Sequence, residues 1–432
     1  MLNVWLVTIG EPIPVQEALR DRLHRTGALA HFLAQRGHQV VWWSSTFDHF
    51  RKKHWFEDDV VLRPHPNLQI RLLHACGYRS NISIARMRDH RQIAAKFAAA
   101  VEADGEPPDI IVAALPTIEL ALESVRYGRR RGIPVVLDMR DMWPDIFVDT
   151  APRAVRPLAK RLLTPLFRQA HEACSGATAI IGHTDGFVEW GLWRGRRAAG
   201  PWDRTFHFAY RAEPPSADLL AEADAFWQRQ GIDCGQGPLA CFIGTLGRQF
   251  DLETVLAAAR RLAAEGHAWR FVLCGRGDRL EQYRAMARDV PNVLVPGWID
   301  AAQIHVLLRR ATIGLDPLID RYDFLATINN KAIEYLSAGL PVVSSPTRGV
   351  LADLLRREGC GASYETGDAE GLAQILTDLS AAPGRLEEMS RGARRVFDER
   401  FAADKVYADM EQYLSALASP RTDPSALSEK RP

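Results

Sequence analysis

The stretch Thr327-Ile-Asn-Asn-Lys331-Ala-Ile-Glu334-Tyr-Leu-Ser-Ala-Gly339-Leu-Pro341-Val-Val343 sets the reading of the whole chain. It reads as a loop, a short helix that stops at Gly339, and a buried strand beginning at Pro341. Thr327 is the expected N-cap. Lys331 and Glu334 are three residues apart and share one helix face. As an isolated ion pair they would stabilise a helix by only about 0.3–0.5 kcal/mol. Their setting argues for more. A helix start beyond the carboxyl edge of a parallel sheet offers unpaired N–H groups to a diphosphate, and Asn330 and Lys331 stand there. A carboxylate one turn further on can accept hydrogen bonds from both hydroxyls of a ribose.

Working outward, the same strand–helix alternation fills the second half of the chain. Strands are expected at Leu239–Ile243, Trp269–Cys274, Asn292–Val295 and Thr312–Leu318, with Asp251 capping the helix after the first of them. A second alternating set occupies the first half: strands at Leu2–Ile9, Gln39–Ser44, Asp109–Ala114 and Pro134–Met139, a helix stopping at Gly37, and a helix over Ile118–Arg131 ending at Gly132. Two such sets predict an α/β protein of two doubly wound Rossmann-like domains facing a cleft. The expected division is an N-terminal domain over 1–205, a second over 206–395, a helix over 396–417 crossing back to the first, and an unstructured tail over 418–432. The Gly-, Arg-, Trp- and Pro-rich run from Trp190 to Ser216 is the expected linker.

Bulk composition is consistent with this and excludes other classes. A length of 432 residues is too great for one core, and 54 basic against 53 acidic residues leave a formal net charge of +1, with no global nucleic-acid signature. The six cysteines form no C-x-x-C pair, so neither a zinc site nor a disulfide framework is indicated. No signal peptide or membrane-spanning run is evident, which leads us to expect a cytoplasmic protein.

The loops after the strands hold the remaining candidate residues. Gly244-Thr245-Leu-Gly247-Arg248 follows the first strand of the second domain; its glycines permit close backbone approach to phosphate, and Arg248 can grip one. The alternative is an ordinary turn with a solvated arginine. Gly275-Arg276-Gly277 ends the next strand, but Leu280 occupies the third glycine position of a dinucleotide fingerprint, which argues against such a cofactor. Trp298 either lines a base pocket or packs in the core. In the first domain Asp138-Met-Arg140-Asp141-Met-Trp143-Pro144-Asp145 crowds charge at a strand end. Asp141 is read as a group that orients or deprotonates an acceptor hydroxyl, with Arg140 and Arg25 as acceptor contacts; the competing reading is a structural network between Arg140 and Asp145. His183 reads as a structural histidine.

The 327–343 stretch resembles the donor-site signature of glycosyltransferase family four, whose members are retaining enzymes of the GT-B fold. That signature carries two glutamates eight positions apart; Glu334 matches the second, and Ala326 stands at the first. The Asn330–Lys331 pair, and the run from Arg140 to Pro144, resemble the subgroup that builds O-antigens and capsules, including fucosamine-type transferases. The resemblance covers roughly residues 1–415. It implies a hexosyl or N-acetylhexosaminyl transfer from a nucleoside diphosphate sugar, expected to be UDP-linked, to a saccharide acceptor carried on a polyprenyl diphosphate. Gly244, Thr245, Arg248, Gly275, Trp298, Asn330, Lys331 and Glu334 would bind the donor, with Asp141 and Glu334 at the chemistry. No D-x-D motif occurs, so neither metal nor cofactor is expected; Arg248, Lys331 and the helix start would neutralise the leaving nucleotide. A sugar epimerase of the same architecture and a non-catalytic nucleotide-binding module remain as alternatives.

Residues 153–168 place Val155, Leu158, Leu162 and Leu166 on one face of a helix, with five cations on the rest. Peripheral contact with the inner face of an anionic membrane is one reading, and a core-facing helix with a solvated basic side is the other. Arg126, Arg129, Arg130 and Arg131 form a second basic cluster in the same domain.

Overall fold

A computed structural model describes residues 1–15, 23–233, 235 and 237–419. The expected tail lies, from 420 onward, outside the described residues, as does Cys234. The chain divides into two compact units, one of Met1–Phe206 with the segment from Tyr407, the other of His207–Val406.

Among the described residues the first unit is built on β1 (Asn3–Val7), β2 (Gln39–Ser45), β3 (Phe47–Asp48), β4 (Lys53–His54), β5 (Val60–His65), β6 (Leu68–Leu73), β7 (Ile110–Leu115), β8 (Val135–Met139), β9 (Ala179–Gly182) and β10 (Arg204–Thr205). The main sheet runs β10-β9-β8-β7-β1-β2-β6-β5, parallel except where β5 pairs with β6. Its central strands β1, β7 and β8 are near-continuous apolar runs, as a sheet covered on both faces requires. The helix Ile118–Arg131 has the bounds expected of it and ends at Gly132 in the left-handed conformation, φ 71°. The short β3–β4 hairpin, the antiparallel edge strand β5 and the helix Ile84–Ala103 have no counterpart among the elements expected from local pattern.

The second unit holds β11 (Leu239–Ile243), β12 (Arg270–Cys274), β13 (Val293–Gly297), β14 (Ile313–Pro317), β15 (Val342–Ser345) and β16 (Gly361–Ser363). Their order, β13-β12-β11-β14-β15-β16, is all parallel and equals 3-2-1-4-5-6 in local numbering, so the strand order reverses between β11 and β14. Side chains alternate across it: Leu239, Cys241 and Ile243 enter one apolar cluster, Ala240 and Phe242 the other.

Two boundaries differ from expectation. The stretch read as linker is largely built into the first unit: Trp190 is buried in the helix Asp185–Gly195, and β10 pairs with β9. Residues 396–402 stay with the second unit, because Val396, Phe397 and Phe401 fill its core; the helix Ala403–Ala418 joins the first unit from Tyr407, where Tyr413 donates to the Trp202 carbonyl at 2.7 Å and Glu411 meets His38 at 2.9 Å.

Candidate nucleotide site

The helix Asn330–Ser337 stands at the switch point between β11 and β14. It begins two or more residues later than the sequence suggested. Asn329, not Thr327, is the N-cap: its side-chain oxygen accepts from the Ala332 N–H at 3.0 Å. The Thr327 hydroxyl instead donates to the Asp323 carbonyl at 2.8 Å, closing the short helix Tyr322–Leu325. Asn329 can reach further because its amide also donates to the Asp316 carboxylate at 2.5 Å.

Asp316, on β14, was not foreseen. It is fully buried and organises the helix start. The Lys331 ammonium lies 3.3 Å from it and 3.6 Å from the centroid of the Phe250 ring. The Lys331 side chain keeps 10% exposure against none for Asp316. Burial pulls the ammonium below its ordinary pKa, and Asp316 and Glu334 act in the opposite sense. Glu334, one turn on, accepts from the Tyr210 hydroxyl at 2.8 Å. Tyr210 is itself held by the Phe401 carbonyl and the Ala403 N–H, a long-range arrangement with no local signal in the sequence.

The helix is locked onto the sheet by Tyr335. Its ring lies over Gly314, where an added Cβ would come within 2.2 Å of it, and its hydroxyl oxygen accepts from the Ile243 N–H at 2.9 Å. One side chain thus ties the helix to both strands flanking the reversal. Gly314→Ala should destabilise the protein by about 1–3 kcal/mol through overpacking and shift the helix start. Urea unfolding checks the first effect and nucleotide titration the second; a variant of unchanged stability would show that the ring is not seated as described.

The loops after β11 and β12 are stitched together. Gly244 N–H donates to the Cys274 carbonyl at 3.0 Å, Leu246 N–H to Arg276 at 2.7 Å and Gly275 N–H to Gly297 at 2.8 Å. Gly275 and Gly277 are obligatory here, since Cβ atoms would lie 1.7 Å from the Gly244 oxygen and 2.0 Å from that of Leu246. Gly244 approaches the Lys331 side chain, with an added Cβ 3.1 Å from Cε. Thr245 and Arg248 are exposed on the same loop, and Arg248 has no ion pair among the described residues. Trp298 is 59% exposed rather than packed in the core, and the Arg276 guanidinium sits 4.5 Å over its ring. Ala326 is buried at the end of the helix Tyr322–Leu325.

In the first unit, the predicted acceptor arginines turn inward. Arg25 is 5% exposed; its Nε donates to Asp138 at 2.8 Å and its NH1 to the Phe206 carbonyl at 2.8 Å. Arg140 bonds Asp138 at 3.0 Å, the Thr26 hydroxyl at 2.8 Å, and Glu11. Glu11 also accepts from the N–H groups of Thr26 and Gly27, so a carboxylate of the chain already occupies the start of the helix Arg25–Gln35. Both arginines are therefore engaged in holding loops of the first unit, Arg25 buried and Arg140 with 16% of its side chain exposed. The structural network exists, but not between Arg140 and Asp145: Asp145 pairs with Arg194 and accepts from the Trp190 indole at 3.2 Å. Asp141 is partly exposed; its oxygens accept from the Met142 N–H at 2.8 Å and the Trp143 indole at 3.0 Å. His183 is buried, with burial and the nearby Arg25 lowering its pKa to about 3.

Two sheets of reversed parallel order find counterparts among solved structures. Sucrose-phosphate synthase from Thermosynechococcus elongatus superposes with a TM-score of 0.70 over 96% of this chain and 99% of its own, at 18% identity. The fold is GT-B. Anabaena Alr3699/HepE in complex with UDP shares it, with a TM-score of 0.67 over 96% of this chain and 100% of that one, at 13% identity. Within the GT-B chain, residues 237–381 match the family described as Glycosyl transferases group 1. That segment spans β11 to β16 and contains Lys331 and Glu334. The amylovoran biosynthesis glycosyltransferase AmsK of Erwinia amylovora is 27% identical over 180 residues, 41% of this chain and 44% of that protein. The chain spans half or less of the length of the curated relatives it matches.

Proposed function

We propose that this protein is a retaining glycosyltransferase that moves a sugar from a nucleoside diphosphate donor, UDP-linked, to a saccharide acceptor carried on a membrane lipid. The observation that carries the reading is the position of Lys331: a desolvated ammonium at a helix start, against the Gly244 loop, where the strand order of the second unit reverses. Diphosphates are bound at such points by backbone N–H groups and a cation. Arg248 supplies a second cation that closes on the phosphates, Glu334 holds the ribose, and Trp298 with Arg276 flanks the base. The group 1 match over the second unit and the UDP bound by a protein of this fold support the donor class. The charge on the departing nucleotide is met by these groups without a metal ion. Asp141 orients the acceptor hydroxyl; the likeness to a glycosyltransferase of amylovoran biosynthesis supports a saccharide acceptor, which we take to be of the O-antigen or capsule type, with a fucosamine-type sugar as the donor group.

A thermal-shift panel of UDP, GDP and their sugars tests this. At 100 times its dissociation constant UDP should add about 2.7 kcal/mol of stability. Arg248→Ala should weaken UDP binding about tenfold or more, the loss of one charge-assisted contact of about 1.5–3 kcal/mol, without changing unliganded stability. Donor consumption without an acceptor would favour the epimerase, and binding without turnover the non-catalytic module. No response to any nucleotide would end the reading.

The membrane side of the proposal rests on the first unit. The 153–168 stretch is not one helix: a short turn at Arg153–Val155 leads into Arg156–Leu162, and a new helix starts at Thr164, with Pro165 removing an interior N–H. Leu166 is buried, but Val155, Leu158 and Leu162 are exposed, which supports the membrane-facing reading over the core-facing one. The second basic cluster is largely paired: Arg126 with Glu123 and Glu172, and Arg130 and Arg131 with the one carboxylate of Glu102. Among the described residues no helix is long and apolar enough to cross a membrane.

A further inference from the structure

Beside the exposed apolar turn lies a cavity of about 610 Å³, lined by Phe167, Arg168, His171, Trp193, Arg194 and Arg196 among others. It begins two residues beyond Leu162, at Thr164. Trp193, which lines the cavity, is 64% exposed, and on the adjoining turn Leu158 is 58% and Leu162 70% exposed. The interior is cationic. Arg194 is already balanced by Asp145 and lies between the rings of Phe167 and Trp193, 4.8 and 4.6 Å from their centroids. Arg197 is balanced by Asp203. Arg168 and Arg196 line the same cavity, are exposed, and have no carboxylate partner among the described residues. Arg153, Lys160 and Arg161, exposed along the adjoining turn, also have no carboxylate partner among the described residues.

We infer that this cavity is a binding site for the phosphate headgroup of an anionic membrane lipid. Arg168 and Arg196 hold the phosphate, and the acyl chains leave over Trp193, Leu162 and Leu158. Charge and apolarity are juxtaposed as a lipid juxtaposes them: an anionic head goes to unpaired guanidinium groups, and hydrocarbon to side chains that find no cover in the protein. A cavity of this size suits a phosphoglycerol head, which a flat basic surface would not select. The inference rests on the membrane-facing reading above and names the lipid class it takes.

The full chain is tested by flotation with vesicles of phosphatidylcholine alone and of phosphatidylcholine mixed with phosphatidylglycerol. Wild type should bind the mixed vesicles and not the neutral ones. The double variant Arg168→Ala, Arg196→Ala should bind the mixed vesicles about 25-fold more weakly, at about one fivefold step per arginine. Leu158→Ser with Leu162→Ser should abolish flotation while leaving the cavity intact. All variants should keep the wild-type thermal shift with UDP, which separates failure here from failure of the donor site. Wild type that floats while the arginine variant is unchanged would overturn the cavity assignment alone. Stabilisation of wild type by soluble glycerol phosphate, lost in the arginine variant, without any flotation on the mixed vesicles would make this a small-anion site and overturn the lipid assignment. Wild type that binds neither vesicle would overturn the membrane reading as well.

Discussion

Lys331→Ala is expected to lower the stability of the unliganded protein by about 3 kcal/mol and to remove its response to UDP. The first effect follows from Asp316. That carboxylate has no exposure, and Lys331 is its cationic partner at 3.3 Å. Deleting one member of a buried pair leaves an uncompensated charge, which costs about 3–5 kcal/mol; the Asn329 amide keeps the cost at the lower end. The second effect follows if the ammonium neutralises the donor diphosphate. The two are separable. Lys331→Met combined with Asp316→Asn removes both charges and should recover most of the lost stability in urea unfolding, yet still bind no UDP by calorimetry. A double variant that regains UDP binding would leave Lys331 with an internal role only.

Arg25→Ala should cost the first unit about 3 kcal/mol, read from urea unfolding, for a related reason. Burial alone would raise the Asp138 carboxyl, but the guanidinium groups of Arg25 and Arg140 outweigh it and hold its pKa below the ordinary 3.8. A carboxyl depressed in the fold contributes stability that is complete above its unfolded pKa and is lost as pH falls through the folded one. Without Arg25 the carboxyl moves upward and takes a proton sooner. The variant's deficit should therefore be largest near neutrality and shrink as pH is lowered toward and below 4. An Arg25→Ala protein of wild-type stability, impaired only in acceptor KM, would return Arg25 to the acceptor role that its burial argues against.

The candidate site was legible in the sequence to the extent that local pattern carries it. Lys331 and Glu334 are set three apart by helix geometry, Gly339 stops that helix, and the glycines at 244 and 275 mark strand ends, each a signal contained in a few consecutive residues. Asp316, Tyr210 and Glu11 were missed because nothing local distinguishes them. Asp316 looks like one acidic residue in an apolar strand, and its meaning comes from Asn329 and Lys331, thirteen and fifteen positions away. The inward partners of the arginines at 25 and 140 were out of reach for the same reason: a charge at a strand end looks offered to a ligand until its long-range partner is seen. The same holds for 153–168, where periodicity records an apolar face but not whether anything covers it.

Hydrophobic alternation and glycine placement, both short-range consequences of backbone geometry, were enough to determine two doubly wound parallel sheets and the loops where chemistry would be found. Which charges are neutralised inside the protein and which face outward was decided only by tertiary structure. A buried ion pair joins residues that the chain keeps far apart, and its energy depends on a low-dielectric environment that exists only once the sheets are formed and covered.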